Sequence, residues 1–507
     1  MSSPASGSGL MFRNPALAVV LIIVIGGLLR LVFGASLGLG IDESYMVASG
    51  RVLHLGYFDH PPASWWLTWG ASRLFGSEAP LAVRLPFIVL FALSTWLIYR
   101  LTAALYDAAA GVAAALILNL VPVLGVTSGT WVLPDGPLCA ALLGAALCLV
   151  HALEARRPAS YGWWLMTGLL SGLALFSKYT AGAVIAGAVI YLATSSRHRR
   201  WLLRPEPYLA ALVALAVFSP VLVWNAGNGW ASLAFQGGRA AAARLNLLGP
   251  VRTLAGEALY VLPWIWLPLV IVAARATLRG PSEWRGWLLV CLGLPLVVVF
   301  PVIALWSNRQ ILFHWAAPGY LMLIPLLAEA VARRLVAGNR LTRLWLRGTV
   351  VFVVAVVIAF SMLVRFNPLP SLWTKEGPLR QLAYDGTDWT GLPAALGGIG
   401  LPPGPDMLAA GVNWRDCGKI DYGLGGRTPF ICLSQDARQF GFRGPGPADY
   451  LGRDVVIVLR AGDLGRLAVL ARNFKSLEDR GTIRFPVNGA TDIDLHVFIG
   501  HDLLAWP

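Results

Sequence analysis

Two adjacent acidic residues, Asp42 and Glu43, lie in the segment GIDESYMVASG, shortly after a long apolar stretch. Carboxylates close to the end of a membrane span are costly unless they are hydrated or paired, so both residues are functional candidates and are predicted to be catalytic. In a structural alternative, Asp42 accepts backbone N–H bonds at the start of an interfacial helix that runs toward Val52.

A second polar group follows in the segment GYFDHPPASWW, where Asp59 and His60 precede two prolines. Proline fixes φ and restricts the residue before it, so these residues form a rigid turn. A carboxylate beside an imidazole can bind a divalent metal ion or a sugar hydroxyl. The alternative is a plain turn at the membrane surface, with three interfacial anchors: Trp65, Trp66 and Trp69.

Two further segments place a charged residue at the border of a span. Asp135 in WVLPDGPL stands at the outer start of a span, where it either caps a helix N-terminus or contacts a substrate. Lys178, followed by Tyr179 in LFSKYTAGA, lies between two spans. An ammonium group at that depth pairs with an anion or extends to the interface, and the phosphate of a lipid-linked substrate would satisfy it.

Cationic and amide side chains occur in two later segments. WSNRQILFHWAAPGYL contains Arg309 and His314, and WNAGNGWASLAFQGGR contains Gln236 and Arg239. Arginine suits bidentate recognition of phosphate, although an isolated interfacial arginine is often only a headgroup contact. The sequence has no Walker-type glycine loop, nucleophile elbow or clustered Cys/His zinc signature, which argues against ATP-driven transport and serine hydrolysis.

The composition indicates the kind of fold that positions these residues. Of the 507 residues, 57% are hydrophobic and only 13% are charged, against about 25% charged in soluble proteins. The net charge of +14 does not indicate nucleic-acid binding, because Lys and Arg recur in short gaps between apolar runs. The chain is therefore predicted to be an α-helical polytopic membrane protein.

Roughly 20 apolar residues cross the hydrocarbon layer of a bilayer. The first stretch is predicted to be an uncleaved helix, because no small-residue cleavage site follows it. About eleven stretches fit this pattern: Ala16–Phe33, Ala82–Leu105, Gly111–Val126, Gly136–Leu153, Trp163–Phe176, Ala181–Thr194, Tyr208–Trp224, Ala258–Ala274, Trp287–Leu305, Ala316–Ala332 and Gly348–Val364.

The positions of basic residues predict the orientation. Lys and Arg in short loops favour the cytoplasmic side, which here also receives the N-terminus. The basic loops fall on one side under this count: Arg156 and Arg157, Arg197–Arg204, Arg275–Arg285 and Arg333–Arg347. The opposite side receives the outer loop Gly34–Leu81, the turns Leu133–Asp135 and Ser177–Thr180, the loops Asn225–Glu257 and Trp306–His314, and the C-terminal region.

Residues 366–507 are predicted to form a soluble domain after a transmembrane domain of residues 1–365. This C-terminal part holds 14 Lys and Arg against 15 Asp and Glu, so the basic surplus belongs to the membrane part. Short β-branched runs at Val455–Leu459 and Leu495–Ile499 alternate with helical patterns such as Leu464–Phe474. This alternation is typical of a small α/β domain.

The five cysteines divide between the two predicted domains. Cys139, Cys148 and Cys291 fall in apolar stretches, where a thiol behaves as a small hydrophobic group. Cys417 and Cys432 lie in the soluble domain, where they form a disulfide if the compartment is oxidising and stay free otherwise.

Taken together, these motifs resemble those of the C-type glycosyltransferases that use polyprenyl-phosphate sugars, the superfamily of protein O-mannosyltransferases and lipid A aminoarabinose transferases. The resemblance covers roughly Leu10–Val364. Its elements follow one another on the same predicted side: Asp42 and Glu43 after the first helix, FDHPP, LPDGPL, SKYTAG, and HWAAPGYL from His314.

The resemblance implies a multi-helix membrane core with two amphipathic helices in the first outer loop. It also implies that Asp42 is the catalytic base of an inverting displacement, in which an acceptor hydroxyl attacks the anomeric carbon and polyprenyl phosphate leaves. Lys178 and Arg309 would then offset the charge on the leaving phosphate. Relatives differ in their use of a metal near the turn of Asp59 and His60. The segment NWRDCGKIDYGLGG receives no role from the resemblance.

The expected function is transfer of a hexose or pentose from undecaprenyl phosphate, or a similar carrier, to a lipid, glycan or protein acceptor. The enzyme would lie in a bacterial inner membrane with its C-terminal domain in the periplasm. Two alternatives remain open, a transporter or flippase of polyprenyl-linked substrates and a noncatalytic subunit of an envelope assembly. A transporter is disfavoured because the paired repeats typical of transporter folds are not evident.

Overall fold

The computed structural model describes residues 14–238, 245–307, 311–366, 389–444, 446–487 and 491–506. The chain forms two compact units. The helical unit comprises Met1–Leu31, Leu55–Ser64 and Arg84–Ala355, and the sheet unit comprises Val32–His54, Trp65–Val83 and Val356–Pro507. The division of domains at residue 365 stays a prediction.

Long helices dominate the first two thirds of the chain. In order they are α1 Pro15–Ser36, α2 Ile41–Ser49, α3 Ala63–Phe75, α4 Pro80–Leu105, α5 Ala108–Leu120, α6 Asp135–Glu154, α7 Ala159–Ser177, α8 Ala181–Thr194, α9 Pro205–Gly227, α10 Ala231–Gly238, α11 Gly249–Val261, α12 Pro263–Arg279, α13 Trp284–Ile303, α14 Ala317–Val336 and α15 Arg340–Phe366. A π-helical segment, Val123–Ser128, follows α5. The first outer loop contains two helices, as the resemblance implied.

Each stretch predicted to cross the membrane coincides with helical structure. By length and composition, seven helices of the described chain could span a membrane, or eight if the bent pair α11 and α12 is one span. This number is lower than the eleven predicted, because α5, α7 and α8 are shorter or less apolar. The stretch Ala258–Ala274 is not one straight span, since α11 and α12 meet at 112°. Pro263 begins α12, and Leu262 before it has a φ of 78°.

Burial separates the inner helices of the helical unit from those that face outward. Within the most apolar window, 89% of α6 is buried but only 17% of α1. An apolar surface left unburied by protein suits contact with lipid. At the centre, α13 and α14 approach closely at Gly293 and Gly319, where a Cβ on either would lie 2.6 Å from the other's carbonyl oxygen. Glycine at such positions lets helix backbones pack in a bilayer.

Three of the four predicted basic loops, those at Arg156 and Arg157, Arg197–Arg204 and Arg275–Arg285, come together at one end of the helical unit. The guanidinium of Arg157 lies 2.8 Å from the buried carboxylate of Glu206. In the neighbouring pair, Arg197 lies 2.8 Å from Glu154. The guanidinium of Arg197 also covers the ring of Trp284, which begins α13. Loops expected on one side of the membrane are thus adjacent in space.

The sheet unit contains the strands β1 Ala409–Gly411, β2 Phe430–Cys432, β3 Val455–Arg460, β4 Phe474–Val487 and β5 Thr491–Leu503, and the helices α16 Leu392–Gly398, α17 Trp414–Gly423 and α18 Leu467–Leu470. Their order is β2-β1-β3-β5-β4. Strand β1 is parallel to β2 and β3, whereas β5 is antiparallel to β3 and β4. The predicted small α/β domain and both of its predicted strands are confirmed.

Two sequence-based expectations for this region have different outcomes. The pattern Leu464–Phe474 does not form one helix but a succession of short turns around α18. Phe474 already belongs to β4, where it is buried and pairs with Leu503. Cys417 of α17 and Cys432 of β2 form a disulfide. The other three cysteines are free and buried, as predicted.

Candidate active site

The loop after α1 forms helix α2 through a local cap. Gly40 is the N-cap, and its backbone N–H donates to the carboxylate of Glu43 at 2.9 Å. Glu43 is buried, whereas Asp42 in the same first turn is exposed. Glu43 thus makes a capping contact at this helix start, because a carboxylate three residues into a helix can reach back to the N-cap amide. The catalytic roles of both residues stay predictions.

A buried ion pair links the start of α6 to the end of α7 in the helical unit. The Nζ atom of Lys178 lies 3.0 Å from both carboxylate oxygens of Asp135. The side chain of Lys178 is 6% exposed and that of Asp135 is 3% exposed. Asp135 occupies the first turn of α6, where the positive end of the helix dipole also favours a carboxylate. The anion expected near Lys178 is thus a residue of the protein itself.

Three of the loops predicted on the outer side meet near Tyr179, the residue after Lys178. The hydroxyl of Tyr179 is 2.7 Å from that of Ser232 in α10. One turn later, Gln236 donates to the backbone oxygen of Asp59. The rings of Phe58 and Phe235 pack at 4.7 Å between centroids. These contacts bring the FDHPP turn, the SKYT turn and α10 together within the helical unit.

The turn between α9 and α10 reverses the chain and so places α10 against the FDHPP turn. The side chain of Asn225, fully buried, accepts a hydrogen bond from the backbone N–H of Leu233 at 3.2 Å. Gly229 and Trp230 both have φ near +60°, the left-handed region that reverses the chain. Because Gln236 lies on the returning helix, this reversal determines where its amide reaches.

The other predicted site residues that the structure describes lie in a turn and in a short helix. Asp59 is buried and His60 is partly buried in their turn, and His314 lies in a short 3₁₀ helix, Phe313–Ala316, beside Trp315. Arg239 and Arg309 lie outside the described residues. Across the described part of the chain, no group of three or more His, Cys, Asp or Glu side chains is placed to hold a metal ion. Asp59 and His60 therefore gain no third described ligand of these types, and metal binding at their turn stays a prediction.

One buried acid was missed by the sequence reasoning. Glu257 on α11 is 1% exposed and accepts a hydrogen bond of 2.6 Å from the hydroxyl of Tyr320. Tyr320 in turn accepts from the indole N–H of Trp266 at 2.8 Å. Among the described residues, the second carboxylate oxygen of Glu257 has no hydrogen-bond partner. The available signal was a lone acidic residue in an apolar helix, a position that is costly in a membrane.

Known proteins resemble one segment of the chain in sequence. Residues 59–224 match the family model described as dolichyl-phosphate-mannose-protein mannosyltransferase. This segment contains the FDHPP turn and both partners of the Asp135–Lys178 pair. No curated protein matches the chain in a direct sequence search.

The fold matches solved structures over nearly the whole chain. ArnT from Cupriavidus metallidurans in the apo state is 17% identical, with a TM-score of 0.61, 95% of this chain covered and 97% of that chain. ArnT from the same organism bound to undecaprenyl phosphate is 16% identical, with a TM-score of 0.62 and coverages of 96% and 99%. The apo oligosaccharyltransferase of Archaeoglobus fulgidus is 13% identical, with a TM-score of 0.51 and coverages of 92% and 72%.

At sequence identities this low, the structural matches establish the fold and nothing further. The chain has the C-type glycosyltransferase fold, and the resemblance drawn from the sequence motifs is confirmed. The similarity to ArnT extends beyond the membrane helices, since it covers 95% of a chain whose last third holds the five-stranded sheet.

Proposed function

We propose that the chain is an integral membrane glycosyltransferase that transfers a hexosyl or pentosyl group from a polyprenyl-phosphate donor to a lipid, glycan or protein acceptor. The observation that carries this proposal is the agreement of fold, over 96% of this chain, with a protein whose structure holds undecaprenyl phosphate. The mannosyltransferase match over residues 59–224, which include the buried Asp135–Lys178 pair, supports it.

The reaction is a single displacement at the anomeric carbon. The acceptor oxygen forms a bond to that carbon while the bond from the carbon to the phosphate oxygen breaks, with inversion. The acceptor proton passes to the carboxylate of Asp42, and polyprenyl phosphate leaves with one more negative charge than it carried in the donor. General-base assistance of this kind is worth about 10² to 10⁴ in rate. Asp42 suits the role because its side chain is exposed at the start of α2.

Lys178 is the described cation assigned to the leaving phosphate. An ammonium group has three N–H donors, and Asp135 supplies acceptors for two of them, both at 3.0 Å. Among the described residues, the third donor has no acceptor, so it is available to a phosphate oxygen. In this scheme Asp135 orients Lys178, and Lys178 stabilises the charge that develops as the carbon–oxygen bond breaks.

The proposed location is a bacterial inner membrane, with the N-terminus in the cytoplasm and the reaction on the periplasmic face. Support comes from the clustering of the basic loops, including Arg157 and Arg197, because short loops rich in Lys and Arg stay cytoplasmic. The Cys417–Cys432 disulfide also fits an oxidising compartment.

The test uses the full-length protein in proteoliposomes supplied with undecaprenyl phosphate linked to a panel of hexoses and pentoses. Bacterial envelope lipids, glycans and membrane proteins serve as acceptors. Release of undecaprenyl phosphate, measured by mass spectrometry, reports transfer whatever the sugar. Asp42→Asn should lower this release at least about 100-fold. The matched control Asp406→Asn, at an exposed acid of the sheet unit, should release as much as the unchanged protein.

The possible results separate the hypotheses. Full release by Asp42→Asn would remove Asp42 as the base. Lack of release by the unchanged protein with every donor would contradict the glycosyltransferase assignment. Movement of the donor across the bilayer without release would support the transporter alternative instead.

A further inference from the structure

The segment without a role in the sequence reasoning, Asn413–Gly426, forms the helix that covers α2. Helix α17 is buried at every residue from Asp416 to Gly423, although it contains three charged side chains in that stretch. Within the sheet unit, α17 and the residues bound to it contact α2 at its N-terminal end, in its middle and at its C-terminal end. A buried polar helix of this kind must have its charges satisfied by specific partners.

In the middle, the two helices touch through a glycine. A Cβ added at Gly418 would lie 2.8 Å from the Cα atom of Tyr45 and 2.9 Å from its backbone N. The Tyr45 hydroxyl accepts a hydrogen bond from the backbone N–H of Gln439 at 2.9 Å. Its ring packs edge-on against Trp414, the first residue of α17, and against Phe440. Only glycine permits this distance between the backbones, so the sequence specifies the contact.

At the N-terminal end, Lys419 contacts the turn that precedes α2. Its Nζ atom donates to the backbone oxygen of Leu39 at 2.6 Å, and the side chain is 1% exposed. The hydroxyl of Ser44 donates to the same oxygen at 3.3 Å. The next residue, Gly40, is the N-cap whose amide binds Glu43. Lys419, 380 positions after Leu39 in the chain, is therefore bound to the turn from which α2, with Asp42 in its first turn, begins.

At the C-terminal end, Asp421 of α17 holds two arginines. The carboxylate of Asp421, 1% exposed, lies 2.8 Å from Arg51 and 2.6 Å from Arg443. Arg443 also donates to the backbone oxygen of Ala48 in the last turn of α2, at 2.7 Å. The same oxygen accepts the backbone N–H of Arg51 at 3.4 Å, and a cation at this position interacts favourably with the negative end of the helix dipole.

We propose that α17 is a positioning element for the catalytic base, with Lys419 and Gly418 as the positioning residues that fix the turn and helix from which Asp42 projects. This inference rests on the proposed function, because it assigns the base role to Asp42. It gives the C-terminal domain a direct part in the reaction. Transfer then requires that α17 be docked on α2, and binding of the lipid carrier does not.

Two variants of the full-length protein test this proposal. Lys419→Met removes the donor to Leu39 while keeping a side chain of similar length. Gly418→Ala forces α17 and α2 apart. In the control Gly397→Ala, the same methyl group enters open space on the exposed surface of α16. Turnover, donor KM, affinity for undecaprenyl phosphate and amide hydrogen exchange of residues 37–50 are measured for each.

We expect kcat to fall about 10-fold or more in both test variants, since a misplacement of about 1 Å can cost 100-fold. The donor KM and the affinity for undecaprenyl phosphate should stay unchanged, and exchange at residues 37–50 should become faster. The control should match the unchanged protein in all four measurements.

Two results would overturn the proposal. One is unchanged exchange at residues 37–50 in both variants, which would show that α17 does not hold the turn. The other is an equal loss of turnover and of undecaprenyl phosphate affinity, which would indicate general misfolding rather than a misplaced base. If the unchanged protein transfers no sugar, the proposed function fails, but the exchange measurement still decides whether α17 fixes the turn before Asp42.

Discussion

The Asp135–Lys178 pair can serve the fold, the reaction or both, and a double-mutant cycle separates these roles. The perturbations are Asp135→Asn, Lys178→Met and the two together. Both side chains are buried, and their charged atoms are 3.0 Å apart. Each single variant leaves one group of the pair without its partner, whereas the double variant leaves no charge behind.

The size of the effect follows from the distance. At 3.0 Å and an effective dielectric constant of about 20, the Coulomb attraction is roughly 5 to 6 kcal/mol before desolvation is subtracted. Breaking a buried pair by removing one partner typically costs about 3 to 5 kcal/mol, because a buried charge is left uncompensated. Removing both charges costs much less, so the double variant should be more stable than either single variant.

Turnover should follow a different pattern from stability. If the third donor of Lys178 receives the leaving phosphate, the double variant regains stability but remains about 100-fold slower than the unchanged protein. Stability is measured by thermal unfolding in detergent, and turnover by release of undecaprenyl phosphate in proteoliposomes.

A matched control is available at the opposite end of the helical unit. Arg157 and Glu206 also form an ion pair, at 2.8 Å, with a buried carboxylate. The double variant Arg157→Met and Glu206→Gln should change stability slightly and leave turnover alone. Wild-type turnover in the double variant of Asp135 and Lys178 would refute the assignment of Lys178 to the phosphate and leave the pair a purely structural role.

Two further predictions concern the sheet unit. Hydrogen bonds to Asp454 and then to Glu478 raise the pKa of His501. The contribution of His501 to stability is therefore present below about pH 6.5 and is lost as the pH rises through the raised pKa. His501→Gln should lower the unfolding midpoint at about pH 6 but not at about pH 9. Replacing both Cys417 and Cys432 by Ser removes a crosslink between residues 15 apart and should destabilise the sheet unit by about 3 kcal/mol in chemical unfolding. An unchanged midpoint in either experiment would contradict the corresponding contact.

The sequence predicted those features that depend on neighbouring residues. Hydropathy is summed over consecutive positions, so every predicted span coincides with helical structure, and the short strands around Ile457 and Val497 were found by their β-branched residues. The break between α11 and α12 was missed because it depends on the backbone at one residue, Leu262, inside an otherwise apolar stretch.

Contacts between distant residues were beyond the reach of such patterns. Asp135 and Lys178 are 43 residues apart in the chain. The residues next to Lys178 do not show whether its partner is a carboxylate of the protein or the phosphate of a substrate. The contact between Glu257 and Tyr320, which are 63 positions apart, corresponds to no pattern in the sequence. The role of Lys419 is the extreme case, since its partner Leu39 belongs to the loop after the first helix.

The neighbours Asp42 and Glu43 show how the structure distinguishes two residues with the same predicted role. Both were assigned to catalysis because adjacent carboxylates beside a span seemed equally suited to it. Glu43, however, is 3% exposed and accepts the N–H of Gly40, so a proton taken up by Glu43 would weaken the cap on which α2 depends. Asp42, one position earlier, is exposed, and its carboxylate is not the one that accepts the N–H of Gly40. Under the proposed function, the two residues therefore act differently: Glu43 fixes the backbone at the start of α2, and Asp42, carried by that backbone, accepts the proton.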